Sequence, residues 1–166
     1  IASENSYSLS MTKGYDLATM NGCIIKSRPT DRIIESFWVT ALDEEKLLLE
    51  ANEPHISAAS KHWVNNSHFE IWLWDGADDS CDPKKLRQWG ISITDGKVYR
   101  GFGNADPSVI KVQLHKKDAN TSRLLVNLPP VKKKTRMGKR YISVVYSASD
   151  GKKQSRLIGT SCVKYG

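Results

Sequence analysis

The sequence lacks several features that would each point to a class of function. No apolar run approaches the roughly 18 residues that a membrane-spanning helix needs, which excludes such a helix. The three cysteines, Cys23, Cys81 and Cys162, form no CxxC pair, which argues against a zinc site and leaves their disulfide state open. GxSxG and glycine-rich phosphate motifs are also absent, so nothing indicates a serine hydrolase or a nucleotide-binding enzyme.

Acidic residues are almost missing from the last fifth of the chain. Residues 131–166 hold ten Lys and Arg against one acid, Asp150, for a net charge of +9, whereas residues 1–130 hold 15 basic and 17 acidic residues, for a net charge of −2. The overall charge of +7 is therefore local. Contacts to phosphates or acidic sugars are expected from one basic segment in particular. Its cations are Lys132, Lys133, Lys134, Arg136, Lys139 and Arg140.

What is present is a chain of 166 residues, 39% hydrophobic and 26% charged, which suits one globular domain over residues 1–166. Short β-like runs separated by turn residues predict an all-β fold, a two-sheet antiparallel β-sandwich of jelly-roll type. The predicted strands are 6–11, 33–40, 46–52, 67–75, 88–94, 97–101, 108–115, 122–128, 140–147 and 156–163.

Local signals place several of the turns. Asp95-Gly96 and Asp150-Gly151 each separate two β-like runs, and Asp-Gly tolerates the positive φ of a tight hairpin. Residues 42–51 are rich in Glu, Lys and Leu and could form a helix by propensity. Because β-like runs flank this stretch and Pro54 follows it, we expect a turn at 43–45 and a strand from 46.

Alternation along the strands separates core from outer positions. In the run from 67 to 75, Phe69, Ile71 and Leu73 form an apolar face, and Trp89 belongs to the apolar face of the next strand. The opposite face of the first run consists of His68, Glu70, Trp72 and Trp74. Two large aromatics beside a carboxylate and an imidazole are unusual for a plain solvent face.

A candidate binding face joins three of these outer residues, Trp72, Trp74 and Glu70, with Asn52, Glu50 and Gln88 from neighbouring runs. Indole rings stack on the C–H faces of pyranoses, and carboxylates and carboxamides bond sugar hydroxyls in fixed orientations. We expect Trp72 and Trp74, or whichever of them the sheet leaves open, to be exposed on a concave surface. The candidate ligand-binding residues are Trp72, Trp74, Glu70, Asn52 and Gln88.

The order of these motifs resembles a known family. Leu42-Asp43, the run 46–56, Trp63 and then the run 68–73 resemble the strand, turn and Trp-loop pattern of family 9 carbohydrate-binding modules and related DOMON-like sandwiches. Further matches follow downstream, at 88–93 with 95–99, and at 146–154. The resemblance covers roughly residues 33–163.

The resemblance implies a two-sheet sandwich that binds a sugar, or sometimes haem, with one sheet and its loops. It implies a non-catalytic module of the kind that can be joined to a larger enzyme, in a secreted, periplasmic or extracellular location. A mature form starting at Ile1 would have lost its signal peptide. The basic segment would favour acidic glycans.

Other functions stay open at this stage. Asp75, Asp78, Asp79 and Asp82 follow the Trp-containing run and could hold a structural Ca²⁺ through hard oxygen ligands. No other cofactor and no catalytic residue are expected. The alternatives to sugar binding are a protein-interaction or inhibitor module built on exposed loops, and a polyanion or nucleic-acid binder that uses the basic segment.

Overall fold

Two antiparallel sheets make up the part of the chain that the structure, a computed structural model, describes. The described residues are 6–10, 23–27, 33–43, 45–76, 85–130 and 139–160. Strand alternation drives this arrangement, because each sheet needs a second layer to bury its apolar face. The predicted all-β sandwich is therefore confirmed.

Sheet 1 has five strands in the order β1-β3-β4-β9-β8. The short turn between β3 and β4 matches the expected turn at 43–45, so the helical alternative for residues 42–51 is wrong. The strands are β1 (Ser6–Ser10), β3 (Ser36–Asp43), β4 (Lys46–Asn52), β8 (Lys111–Lys116) and β9 (Thr121–Asn127).

Sheet 2 has six strands in the order β2-β11-β10-β5-β6-β7. Its hairpin turns hold Gly96, with φ 74°, and Gly151, with φ 87°, which confirms both predicted Asp-Gly turns. The strands are β2 (Cys23–Ser27), β5 (His68–Gly76), β6 (Arg87–Ser92), β7 (Val98–Phe102), β10 (Lys139–Ser149) and β11 (Gln154–Gly159).

The core lies between the two sheets and is filled by the inward residues of their strands. Phe37 of β3 lies 6.3 Å from Phe69 of β5, and Phe69 meets Tyr146 of β10 edge-on at 5.0 Å, both distances between ring centroids. Trp89 is fully buried, as predicted, and its indole N–H donates to the Asp106 carbonyl oxygen at 2.9 Å. The outward residues of both sheets are therefore the positions left for a site.

The helical elements in the described ranges are two short 3-10 turns, Trp63–Asn65 and Pro107–Val109. Within those ranges, no helix is long and apolar enough to cross a membrane.

Candidate functional site

The outer face of sheet 2 carries the side chains that the sequence singles out on β5. Register places Trp72 opposite Gln88 of β6 and Ser143 of β10, and places Glu70 opposite Gly90 of β6. Directly opposed residues in an antiparallel pair point to the same face of the sheet. Four of the five predicted ligand-binding residues, namely Trp72, Trp74, Glu70 and Gln88, therefore share this face.

A covering segment, residues 53–67, runs from β4 to β5 and lies over one half of this face. Its Trp63 ring stacks on Tyr99 of β7, with centroids 5.6 Å apart and an interplanar angle of 13°. The same ring meets His68 edge-on at 4.9 Å. A Cβ at Gly90 would come within 2.1 Å of the Trp63 ring, so only glycine lets the indole approach the sheet this closely.

Hydrogen bonds hold the covering segment in place. The Asn66 side chain accepts from the Ser60 N–H at 2.9 Å and donates to the Ser60 carbonyl oxygen at 2.8 Å. The Gly151 N–H donates to the Asn65 carbonyl oxygen at 2.9 Å, which ties the segment to the β10–β11 turn. Trp63 thus forms a fixed cover over the neighbouring polar groups.

Beneath Trp63 lies a polar trio, His68, Glu70 and Gln154, of which His68 and Glu70 are buried and Gln154 is partly exposed. Glu70 is 3% exposed, and its Oε1 accepts from the Gln154 amide at 3.1 Å and lies 3.2 Å from His68 Nε2. His68 Nδ1 lies 2.6 Å from the Asn66 carbonyl oxygen, which can only accept, so Nδ1 carries a hydrogen.

No segment among the described residues covers the other half of the face. Phe102 of β7 is 47% exposed, and its ring lies beside the partly exposed Trp72 ring, with centroids 6.0 Å apart and an interplanar angle of 35°. Gln88 lies opposite Phe102 in register and is 8% exposed. A Cβ at Gly101 would come within 2.7 Å of Gln88 Oε1, so this glycine leaves room for the amide. Trp72, Phe102 and Gln88 are called the open platform below.

Three predicted site residues do not join this platform, and one of them is Glu70, which is buried in the covered half of the face. Trp74 is 5% exposed and offers no open ring face, so the sheet leaves Trp72 as the open member of the pair. Asn52 ends β4 in sheet 1, where its amide donates to the Thr121 hydroxyl at 2.9 Å. The expectation that Asn52 and Glu50 share a face with Trp72 is wrong, because alternation shows which residues of β4 share a face but not which of the two sheets β4 joins.

The cations of the basic segment fall largely outside the description. Lys132, Lys133, Lys134 and Arg136 lie outside the described residues. Lys139 and Arg140 begin β10, where they pair in register with Gly76 and Asp75 of β5. The segment therefore enters sheet 2 at the end of the strand that carries Trp72, and its contacts with anions remain a prediction.

The calcium prediction also stays untested. Asp75 lies 3.6 Å from Arg87, measured between Oδ2 and Nη2, and Asp78, Asp79 and Asp82 lie outside the described residues. No group of three or more His, Cys, Asp or Glu side chains suited to a metal ion occurs among the residues described.

Sequence reasoning missed Phe102, Tyr99 and the role of Gln154. Sequence parity assigns Tyr99 and Phe102 to opposite faces of β7. An irregularity in the β6–β7 pairing, with Gln88 opposite Phe102 and Gly90 opposite Tyr99, brings both onto the outer face. Gly101 beside Phe102 is the signal that could have indicated such a bulge.

Comparison with solved structures finds the same fold in family 9 carbohydrate-binding modules. A module from Caldicellulosiruptor kristjanssonii in complex with cellotriose is similar at a TM-score of 0.58 and 14% identity, over 82% of this chain and 70% of that one. A structure from the same source in complex with glucose gives the same TM-score and identity, over 92% and 83%. No family model and no curated protein sequence matches. The chain thus has the sandwich fold of these modules.

Proposed function

We propose that the chain is a non-catalytic carbohydrate-binding module whose ligand lies on the open platform of sheet 2. The observation that carries the proposal is the pair of neighbouring rings, Trp72 and Phe102, on a sheet face whose other half is covered. Such rings offer a hydrophobic surface to the C–H faces of a pyranose.

Gln88 supplies the polar contact of the platform. Its amide has both a donor and an acceptor, and its place opposite Trp72 and Phe102 in register sets it at the edge of a stacked sugar. One amide beside an apolar wall is the kind of composition that small-molecule sites have. The fold shared with modules solved with cellotriose and glucose supports the same ligand class.

The state of Glu70 supports a binding role rather than catalysis. Its carboxylate is buried under Trp63 and engaged by His68 and Gln154. A glycosidase needs two carboxyl groups that reach the scissile bond from opposite sides. In this chain Glu70 instead supports the position of the covering segment, through His68 and the Asn66 carbonyl oxygen.

An acidic glycan is the finer part of the proposal. Lys139 and Arg140 enter β10 beside Gly76 and Asp75, at the end of the strand that carries Trp72. The net charge of +9 on residues 131–166 would raise the local concentration of a polyuronate around the chain. A secreted location and attachment to a larger enzyme complete the proposal, since polysaccharides are met outside the cell.

The experiment measures binding by the full chain to cellotriose, by calorimetry, and to soluble β-glucan, xylan and polygalacturonate, by affinity electrophoresis. Trp72→Ala and Phe102→Ala should each weaken binding at least about tenfold, or about 1.4 kcal/mol. Leu42→Ala is the matched control, because Leu42 is 52% exposed but lies on β3 in sheet 1. Thermal unfolding verifies that each variant is folded.

If both platform variants bind every saccharide as the unchanged protein does, the proposal fails. Salt separates the two ligand classes. Binding to polygalacturonate should weaken steeply as NaCl rises, whereas binding to cellotriose should not. If the chain binds nucleic acid in a salt-sensitive way, and Trp72→Ala leaves that affinity unchanged, the chain is a polyanion binder instead.

A further inference from the structure

We infer that the outer face of sheet 1 carries a second saccharide-binding surface, centred on Trp38. In register, Trp38 of β3 lies opposite Glu50 of β4, Glu50 opposite Arg123 of β9, and Arg123 opposite His115 of β8. These four residues, called the Trp38 row, therefore cross four strands on one face. The inference does not depend on the platform of sheet 2.

The polar part of this row is held in a fixed arrangement. Glu50 Oε1 accepts from Arg123 Nε at 3.2 Å and from Arg123 Nη2 at 3.0 Å, and it lies 3.2 Å from Lys117 Nζ. Among the described residues, no hydrogen bond reaches the second oxygen, Oε2. Arg123 is partly exposed and Lys117 is exposed, so donors and an acceptor face solvent side by side.

This arrangement suits a sugar ring with neighbouring hydroxyls. A carboxylate oxygen can accept a hydrogen bond from one hydroxyl, while the guanidinium or ammonium group beside it donates to the next hydroxyl. Neighbouring strands are about 4.8 Å apart, so a ring stacked on Trp38 would bring its hydroxyls to the Glu50–Arg123 pair. The shared chemistry is a saccharide diol, and either a neutral sugar or a uronic acid can supply it.

Stability does not account for the row. Exposed ion pairs contribute about 0–1 kcal/mol, and Trp38 lies on the outer face, away from the core residues Phe37 and Val39. The packed sheets also separate the two surfaces, since face-to-face sheets lie about 10 Å apart and the side chains here point outwards. One sugar residue cannot contact both, so a chain with both surfaces could bridge two glycan strands.

The experiment follows the indole N–H signals of Trp38 and Trp72 by NMR in the full chain, assigned with Trp38→Phe and Trp72→Phe. The probes are cellotriose and trigalacturonate, titrated separately. In at least one titration we expect the Trp38 signal to move with its own midpoint. Glu50→Gln should raise that midpoint concentration at least about tenfold, and Trp38→Ala should raise the midpoint read from the Arg123 Nε–H signal of the same row by as much. Val109→Ala is the control, since Val109 is exposed on another turn.

The outcomes separate this inference from the proposed function. Loss of the Trp72 response alone would contradict the platform and leave the Trp38 surface standing. A Trp38 signal that neither probe moves, or a response that Glu50→Gln leaves unchanged, overturns the inference. Trp38→Phe keeps an aromatic ring and should retain part of the affinity. This variant therefore distinguishes loss of stacking from a folding defect in Trp38→Ala. Self-association that Trp38→Ala abolishes would show that a second copy covers the face, and would also overturn it.

Discussion

The two outer faces of the sandwich follow the same strand alternation but differ in what lies over them. On sheet 2, the covering segment places Trp63 above His68 and Glu70 and buries both. On sheet 1, Arg123 and Lys117 stay accessible beside Trp38. The core beneath is shared, so a segment between strands, rather than the strands themselves, decides the burial of the outer side chains.

This difference shows how burial changes what a carboxylate can do. Glu70 lies under cover and must be satisfied internally, which His68 and Gln154 accomplish. The Glu50 side chain is partly exposed, and its Oε1 takes the ion pairs to Arg123 and Lys117. The same residue type therefore stabilises the structure on one face and is available to a ligand on the other.

The largest expected loss of stability concerns the bond that anchors the start of the covering segment. The fully buried Tyr146 hydroxyl donates to Glu53 Oε1 at 2.7 Å, where the segment leaves β4. Burial, followed by the Glu53 charge, raises the pKa of Tyr146 well above its ordinary value, so the phenol stays a donor. Tyr146→Phe removes this donor from a buried carboxylate and should lower the free energy of unfolding by about 3 kcal/mol.

Urea unfolding measures this loss, with Tyr99→Phe as the control. Tyr99 is only partly buried and contributes its ring to the stack with Trp63, which phenylalanine retains. The control should change stability by less than about 0.5 kcal/mol. Equal effects of the two substitutions would contradict a special role for the Tyr146–Glu53 bond in anchoring the cover.

The next largest loss of stability is expected at the contact between Trp63 of the covering segment and Gly90 of β6. Gly90→Ala places a methyl group into the Trp63 ring and should cost about 2 kcal/mol, because overpacking forces the ring or the strand to move. Trp63→Ala removes the obstacle, so the double variant should lose less than the two single variants summed. A double-mutant cycle by urea unfolding measures this coupling, and strict additivity would show that Trp63 does not pack on Gly90.

The sequence predicts the sandwich well because alternation and turn residues are local signals. The β-like runs on both sides and Pro54 predict a strand rather than a helix at β4, and the structure confirms this prediction. The strand Cys23–Ser27 was missed because it is short, and only Ile24 and Ile25 in it give an apolar signal.

The site was harder to predict because it depends on contacts between distant segments. Alternation fixes the face of Asn52 but not its sheet, and nothing local predicts the near-complete burial of Trp74. Phe102 reaches the outer face through the bulge in the β6–β7 pairing. These features follow from long-range pairing, which a single sequence does not display.

The smallest expected change in stability concerns the turn beside the Trp38 row, where Asp118 follows Lys117. Asp118 Oδ1 accepts from the Asn120 and Thr121 N–H groups, each at 2.8 Å. The Asn120 bond is the main cause of the lowered pKa of Asp118. Since the folded pKa lies below the unfolded one, the charged turn stabilises the fold above the unfolded value of about 3.9.

This contribution should vanish as pH falls through the folded pKa of Asp118. Asp118→Asn keeps an acceptor oxygen but removes the charge, so it should lower the urea midpoint at pH 7 and lower it by less at pH 2. Glu35→Gln, at an exposed carboxylate, is the control for loss of one charge. If Asp118→Asn shifts the midpoint equally at both pH values, the charge is not what holds the turn. Hydrogen-bond geometry alone would then hold the turn beside the Trp38 row, whereas charge would still matter for the buried carboxylates near the covering segment of sheet 2.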